Sequence, residues 1–406
     1  MRFPCGRPKY PEMKYPEMKK KILVYCQHVL GIGHLARMAA LLKELHACEV
    51  TLVLGGPKAQ IAFPRNIRIV QLPALQMDAE FSGLQPVDEG ASLAEIKEKR
   101  KELLVGLVDS LLPDLLLIEL FPFGRCGFRF ELDPLLDYVR EHQPACRVVC
   151  SVRDILVERE NRIKFEQRAV ERLNRFFDLL LIHADPEVVK LDQTFSRLDD
   201  ITISIQYTGY IAGKSDHEAG VRLRRSLELD KEEHLVVVSA GSGSVGYRLL
   251  ESALVAHRVQ VGKYEHKLRL QLFSGPYLKE EHFSRLLDLA GPGAVVERFT
   301  DRFSDWLAAA DLSISMGGYN TTMNVVAAGC PALIFPFSQN REQGLRAEFL
   351  SARIPVEILE ERDLLPERLA EKMVGMLEQK KYEPEISLNG AERTARLLIR
   401  EASDER

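Results

Sequence analysis

Three stretches of this chain set glycines and hydroxyls between an apolar run and an amphipathic one: "HVLGIGHLARMAALL" (residues 28–42), "VVVSAGSGSVGYRLL" (236–250) and "SISMGGYNTTMNVVAAG" (313–329). A turn of this kind, ending a strand and opening a helix, gathers unpaired backbone N–H groups at the positive end of the helix dipole. It suits an anion, and a phosphate in particular. In the first turn Gly31 and Gly33 bracket the bend, where a ligand can approach the backbone, and His34 opens the helix. An imidazole there can cap the helix, hold a ligand or move a proton near neutral pH. The second turn offers Ser239, Gly241, Ser242, Gly243, Ser244 and Gly246 in a short arc, the composition of a phosphate cradle. It has neither the lysine of a P-loop nor the ordered GxGxxG with an acidic partner, so a dinucleotide is not expected. In the third, Gly317, Gly318, Asn320, Thr321 and Thr322 bring amides, hydroxyls and a helix dipole to one point. Each turn alone is compatible with an ordinary bend or N-cap. Three in one chain, each at the carboxyl end of a strand, point to a shared anionic ligand.

The elements that must carry these turns follow from the hydrophobic rhythm. From Lys21 onward the short runs "KILVYC", "EVTLVLG", "IRIVQLP", "LLLIEL", "RVVCSV" and "FDLLLIHA" alternate with longer amphipathic segments. That is βαβ order, and hence a parallel sheet. After the polar stretch "TGYIAGKSDHEAG" the rhythm restarts with "HLVVVSAG", "LRLQLFSG", "AVVERF", "LSISM" and "PALIFPF". The chain is therefore expected to be α/β, with two doubly wound, Rossmann-like domains over residues 21–208 and 209–406. Their strand carboxyl ends would face an interdomain crevice, the usual ligand site of open α/β sheets. The final helical segment, "LNGAERTARLLIRE", is amphipathic and needs a neighbour, counted here with the second domain. Residues 1–20, with a tandem KYPEM, are expected to be a disordered tail.

Composition narrows the partners. A formal net charge of -4 and a pI near 6.3 give no basic field for nucleic acid. Seven cysteines, odd in number and without a CxxC pair, suit reduced, mostly buried thiols in a cytoplasm rather than disulfides or zinc. The best candidate for a membrane span, "LLVGLVDSLLPDLLLIELF", is broken by Asp109, Pro113, Asp114 and Glu119, leaving at most peripheral membrane contact.

Taken with "VVERFTDRFSDWLAAADLSISMGGYNTTMNVVAAGCPALIFPF" and "REQGLRAEFL", the three turns resemble glycosyltransferase family 28 over most of the C-terminal half and the first turn of the N-terminal half. The resemblance implies a GT-B fold, with an acceptor on the N-terminal domain and a nucleotide sugar, usually UDP-linked, on the C-terminal one. The activity it implies is hexosyl or N-acetylhexosaminyl transfer. It places Ser242 and Gly243 near the diphosphate, Phe299 and Thr300 against the base, and Gln343 at the donor sugar. Asn324 stands where the family commonly has a glutamate for the ribose diol, and Met316 where relatives often have a histidine. His34 matches the histidine proposed to act near the acceptor.

Retaining enzymes of this fold commonly carry two glutamates at the positions of Met316 and Asn324. Neither residue ionises, so an inverting displacement is expected. Such a displacement needs a base, for which the candidates are His34 and Glu119, the latter ending the strand "LLLIEL". Arg125, Arg153 and Asp154 also follow N-domain strands and are candidates to read the acceptor. The chain has no DxD triplet, so no metal or other cofactor is implied. Two further readings keep the fold. One is a UDP-sugar hydrolase related to the family, which uses water as acceptor; the other is a nucleotide-sugar-binding protein without turnover.

Overall fold

A computed structural model describes residues 19–28, 33–58, 61–77, 83–88, 90–156, 161–213, 215–243, 245–261, 268–339 and 341–403. Gly31, Ser244 and the expected tail, apart from Lys19 and Lys20, lie outside the described residues. The first half runs β1 (Lys21–Tyr25), α1 (Gly33–Lys43), β2 (Glu49–Leu54), β3 (Ile67–Gln71), β4 (Leu75–Met77), β5 (Leu84–Pro86), α2 (Leu93–Leu111), β6 (Leu115–Glu119), α3 (Arg129–His142), β7 (Arg147–Arg153), α4 (Arg162–Phe176), β8 (Leu179–His183) and β9 (Ser204–Tyr207). The second runs α5 (His217–Ser226), β10 (His234–Ser239), α6 (Tyr247–Val261), β11 (Leu268–Phe273), α7 (Glu280–Leu289), β12 (Ala294–Glu297), α8 (Phe303–Ala309), β13 (Leu312–Ser315), α9 (Tyr319–Ala327), β14 (Ala332–Ile334), α10 (Arg341–Ser351), β15 (Val356–Ile358), α11 (Pro366–Leu377) and α12 (Gly390–Ser403).

The expected alternation gives two parallel sheets, ordered β3-β2-β1-β6-β7-β8-β9 and β12-β11-β10-β13-β14-β15, beside a small antiparallel β4–β5 hairpin. Both sheets are doubly wound, and the winding reverses between β1 and β6 in the first and between β10 and β13 in the second. Such reversals open a crevice at the strand carboxyl ends. The continuous apolar runs fit this placement, since β6 and β8 are buried along their whole length beneath helices.

One charge buried in the first domain is fully paired. Arg100 of α2 is wholly buried, reaching both Glu131 carboxylate oxygens at 2.7 Å and the carbonyls of Gly55 at 3.0 Å and Pro73 at 2.7 Å. It thereby ties α2 and α3 to the loops at the cleft end of β2.

The last helix crosses back. α12 packs on α1 and β6, burying Ala395, Leu398 and Ala402 among Leu35, Met38 and Leu42. Counted by sequence with the second domain, it is seated by contact on the first. Ile211 bridges to Asn389 at the crossover, and one cluster of buried apolar residues runs from the first sheet through Tyr319 and Met323 into the second.

Candidate functional site

The two reversal points face one another across a cleft of about 360 Å³. From the first sheet come Gly33, His34 and Arg37 of α1 and Arg153 at the end of β7; from the second come Gly241, Ser242, Phe299, Thr300, Gly318, Tyr319, Asn320, Thr321 and Asn324. Residues almost 300 positions apart thus meet because each follows a strand beside a reversal point.

On the first-domain wall, His34 Nδ1 lies 2.6 Å from Glu119 Oε1, and the Arg37 guanidinium donates to the same oxygen. Two donors converging on one acceptor account for the 3.3 Å between Arg37 Nη2 and His34 Nδ1. With Nδ1–H donated to the carboxylate, the lone pair sits on Nε2. Burial pushes the His34 imidazole down to about 4, with Glu119 pulling it up and Arg125 and Arg37 pressing it further down. Burial alone would raise the Glu119 carboxyl, but His34, Arg37 and Arg125 outweigh that and hold it well below the usual carboxylate range. At neutral pH the pair is therefore a neutral imidazole on an ionised carboxylate.

The opposite wall is built for an anion. α9 begins after Gly318 with no side-chain cap, and the Gly318 N–H is already donated to Met316 O at 2.9 Å. The first-turn amides of Tyr319, Asn320 and Thr321 have no intrahelical acceptor, and the helix dipole adds to their field. Beside them the β10–α6 loop crosses the segment after β11 closely. A Cβ on Gly243, where φ is +85°, would stand 2.5 Å from Ser274 O, and one on Gly275 2.4 Å from Gly243 N. Phe299 completes this wall with 61% of its surface exposed, a large bare ring lining the cleft.

Not every expected site residue reaches the cleft. Glu119 is 1% exposed and sits behind His34, so it orients the imidazole and is out of reach of an acceptor as a base. Met316 is also a correction: it packs inward with Val238 and Ala240 beneath the β10–α6 loop. Gly317 turns its carbonyl to Arg346 Nη1 at 3.1 Å, and the Gly243 amide faces Ala240 O at 3.4 Å within its own loop. Gln343 Oε1 accepts from Phe337 N at 3.0 Å, fixing the segment after β14. Asn324 does line the cleft, but its Oδ1 accepts from Gly213 N at 3.0 Å, leaving the Nδ2 end for a ligand. Asn320 Nδ2 donates across the cleft to Gly33 O at 3.0 Å.

Two of the three candidate acceptor readers pair across the domains, Arg153 while also lining the cleft. Asp154 is wholly buried against Arg346 of α10 in a bidentate pair of 2.7 and 2.9 Å, and Arg153 pairs with Glu342. Arg125 acts on the His34–Glu119 pair through its charge. Sequence reading missed Arg37 and Tyr319. Arg37 lies three positions after His34 on the same helix face, a spacing that could have found it. Tyr319 is the one aromatic in a helix start of small polar residues.

A second concavity of about 330 Å³ lies beyond the β6–α3 turn, with Arg129, Lys164, Arg168 and Arg172 around Phe121, Pro122 and Phe165. Among the described residues no helix is long and apolar enough to cross a membrane, and no group of three or more His, Cys, Asp or Glu could hold a metal ion.

Residues 235–400 match the model of the glycosyltransferase family 28 C-terminal domain. Among curated proteins, the chain is 33% identical over 141 residues to the UDP-N-acetylglucosamine--N-acetylmuramyl-(pentapeptide) pyrophosphoryl-undecaprenol N-acetylglucosamine transferase of Haemophilus influenzae (strain 86-028NP), covering 34% of this chain and 39% of that protein. To the protein of the same name from Corynebacterium glutamicum it is 27% identical over 184 residues, 45% of this chain and 48% of that one. The matched segment thus spans less than half the length of these relatives. Among solved structures, a UDP-glucosyltransferase from Polygonum tinctorium superposes with a TM-score of 0.64 at 11% identity, covering 96% of this chain and 100% of that chain. MurG of Acinetobacter baumannii does so with a TM-score of 0.59 at 15% identity, covering 94% and 99%. At such identities the likeness is one of fold, and the fold is GT-B.

Proposed function

We propose, from the match of residues 235–400 to the glycosyltransferase family 28 C-terminal domain, that the chain is a glycosyltransferase of this family that moves a sugar from a nucleoside diphosphate sugar, UDP-linked, to an acceptor hydroxyl held on the N-terminal domain. One observation carries the reading: the uncapped N-terminus of α9 and the bare Phe299 ring share a cleft with a neutral imidazole seated on an ionised carboxylate. Phe299 offers a face to the base, and Asn324 Nδ2 a donor to the ribose. The Tyr319, Asn320 and Thr321 amides meet the diphosphate.

As the sugar–phosphate bond breaks, negative charge collects on the leaving diphosphate, where preorganised amides stabilise it without reorganising. The acceptor hydroxyl attacks the anomeric carbon from the opposite side while His34 Nε2 takes its proton. Glu119 then faces the new imidazolium, whose charge it stabilises. The displacement inverts the anomeric centre, and because amides neutralise the diphosphate it needs no metal. The transferred sugar in this reading is a hexose or N-acetylhexosamine, the second being the kind named in the activity of the curated relatives.

Those relatives are named for an acceptor on pyrophosphoryl-undecaprenol. An acceptor of that character, lipid-linked and phosphate-bearing, suits the second concavity, whose cations ring an apolar floor beside Ile163, 77% exposed. The protein would then meet its acceptor at the cytoplasmic face of a membrane, by peripheral contact. Incubation with UDP-glucose, UDP-galactose and UDP-N-acetylglucosamine, with and without polyprenyl-pyrophosphate-linked acceptors, tests the assignment. A glycosylated acceptor of inverted anomeric configuration is expected. Free sugar from the donor alone would instead mean a hydrolase, and binding without either product a nucleotide-sugar-binding protein.

A further inference from the structure

Tyr319 joins the two walls of the cleft. It opens α9, whose amides face the donor side, yet it is only 5% exposed and its ring lies between groups of both domains. The Arg37 guanidinium carbon stands 5.4 Å from the ring centroid and that of Arg346 5.3 Å. The hydroxyl accepts from Ile211 N at 3.1 Å and donates to His183 O at 3.2 Å. Each flanking cation is anchored elsewhere: Arg346 to Asp154 and to the carbonyl of Gly317, just before the helix, and Arg37 to Glu119. A tyrosine that merely filled space would not need two guanidinium groups at its ring. An aromatic ring beside two like charges offers each a region of negative potential where all three side chains are buried.

We propose that Tyr319 is a positioning residue that couples the donor-binding end of α9 to the general base, holding Arg37 against Glu119 and through that pair setting the orientation and charge of His34. The inference rests on the reading of His34 as the base. Its chemistry follows from the charged groups that act on the imidazole: Glu119 from β6, Arg37 from its own helix and Arg125 from the segment after β6. Arg37 and Arg125 oppose protonation of His34 and Glu119 favours it. If the ring is lost, Arg37 is free to leave Glu119, and the imidazole then keeps its proton to higher pH.

The test uses the full chain labelled in its histidine rings, with the His34 resonance assigned by its loss in His34→Gln. In Tyr319→Leu the His34 titration midpoint should rise by roughly one pH unit, the scale of removing a nearby charge. Arg37→Met should reproduce that rise, and Tyr319→Phe, which keeps the ring, should titrate as the parent does. In transfer, Tyr319→Leu should lose kcat about tenfold with the donor KM within about twofold, the split expected of a group that acts through the base. If Tyr319→Leu does not fold, Tyr319→Met, of similar volume but unbranched and more adaptable, carries the same comparison. A folded variant whose His34 midpoint stays at the parent value overturns the coupling. The titration needs no turnover, so an unchanged rate in His34→Ala would refute the base assignment while the midpoint shift still decided the coupling.

Discussion

His34 and Glu119 end up a hydrogen bond apart, with unequal access to the cleft. The His34 side chain keeps 18% of its surface exposed and Glu119 keeps 1%. His34→Ala should therefore lower turnover on the order of 10²-fold or more, the usual range for one positioned proton acceptor, with UDP affinity nearly unchanged by calorimetry. Glu119→Gln should reduce kcat rather than donor affinity, because it removes the charge that steadies the imidazolium. The pH profile follows from the sign of the shift: a base must be unprotonated, so turnover should be level near neutrality and fall as the pH drops through about 4. An acid limb near the ordinary histidine value would mean that His34 is more solvated than its surroundings imply. Both residues were legible in the sequence because each ends a strand or opens a helix beside it. Their order was not, since burial depends on how β6 and α1 meet in space.

At the scale of elements, the three turns and eleven of the strands announced themselves through glycine placement and apolar runs, and the parallel, doubly wound character of the sheets followed from βαβ rhythm; the short β4, β5, β9 and β15 and the strand order did not. The domain-joining contacts did not, because a charged residue after a strand looks the same whether it faces solvent or another domain. Asp154 is such a case: read as an acceptor contact, it is buried against Arg346. Asp154→Ala leaves an uncompensated buried guanidinium and should cost about 3–5 kcal/mol in denaturant unfolding. A loss below about 1 kcal/mol, the scale of an exposed pair, would place that pair in water. The seat of α12 was equally hidden, since amphipathicity demands a partner without saying which.

For the whole molecule, the two domains matter because neither wall of the cleft completes the site alone. The cation-ringed concavity beside the exposed Ile163 predicts co-sedimentation with vesicles containing anionic lipid and release at high salt, weakened in Lys164→Glu/Arg168→Glu. Equal binding to neutral vesicles would remove the electrostatic part of that contact. The most direct measurement of the central claim is calorimetric titration of UDP into the full chain in the presence of EDTA, repeated with Phe299→Ala. Saturable, metal-independent binding that weakens about tenfold or more on loss of the ring is predicted, the scale of a base–aromatic stack. No heat from UDP or UDP-sugars at millimolar concentration, or binding that appears only with Mg²⁺ or Mn²⁺ and ignores Phe299, would contradict it.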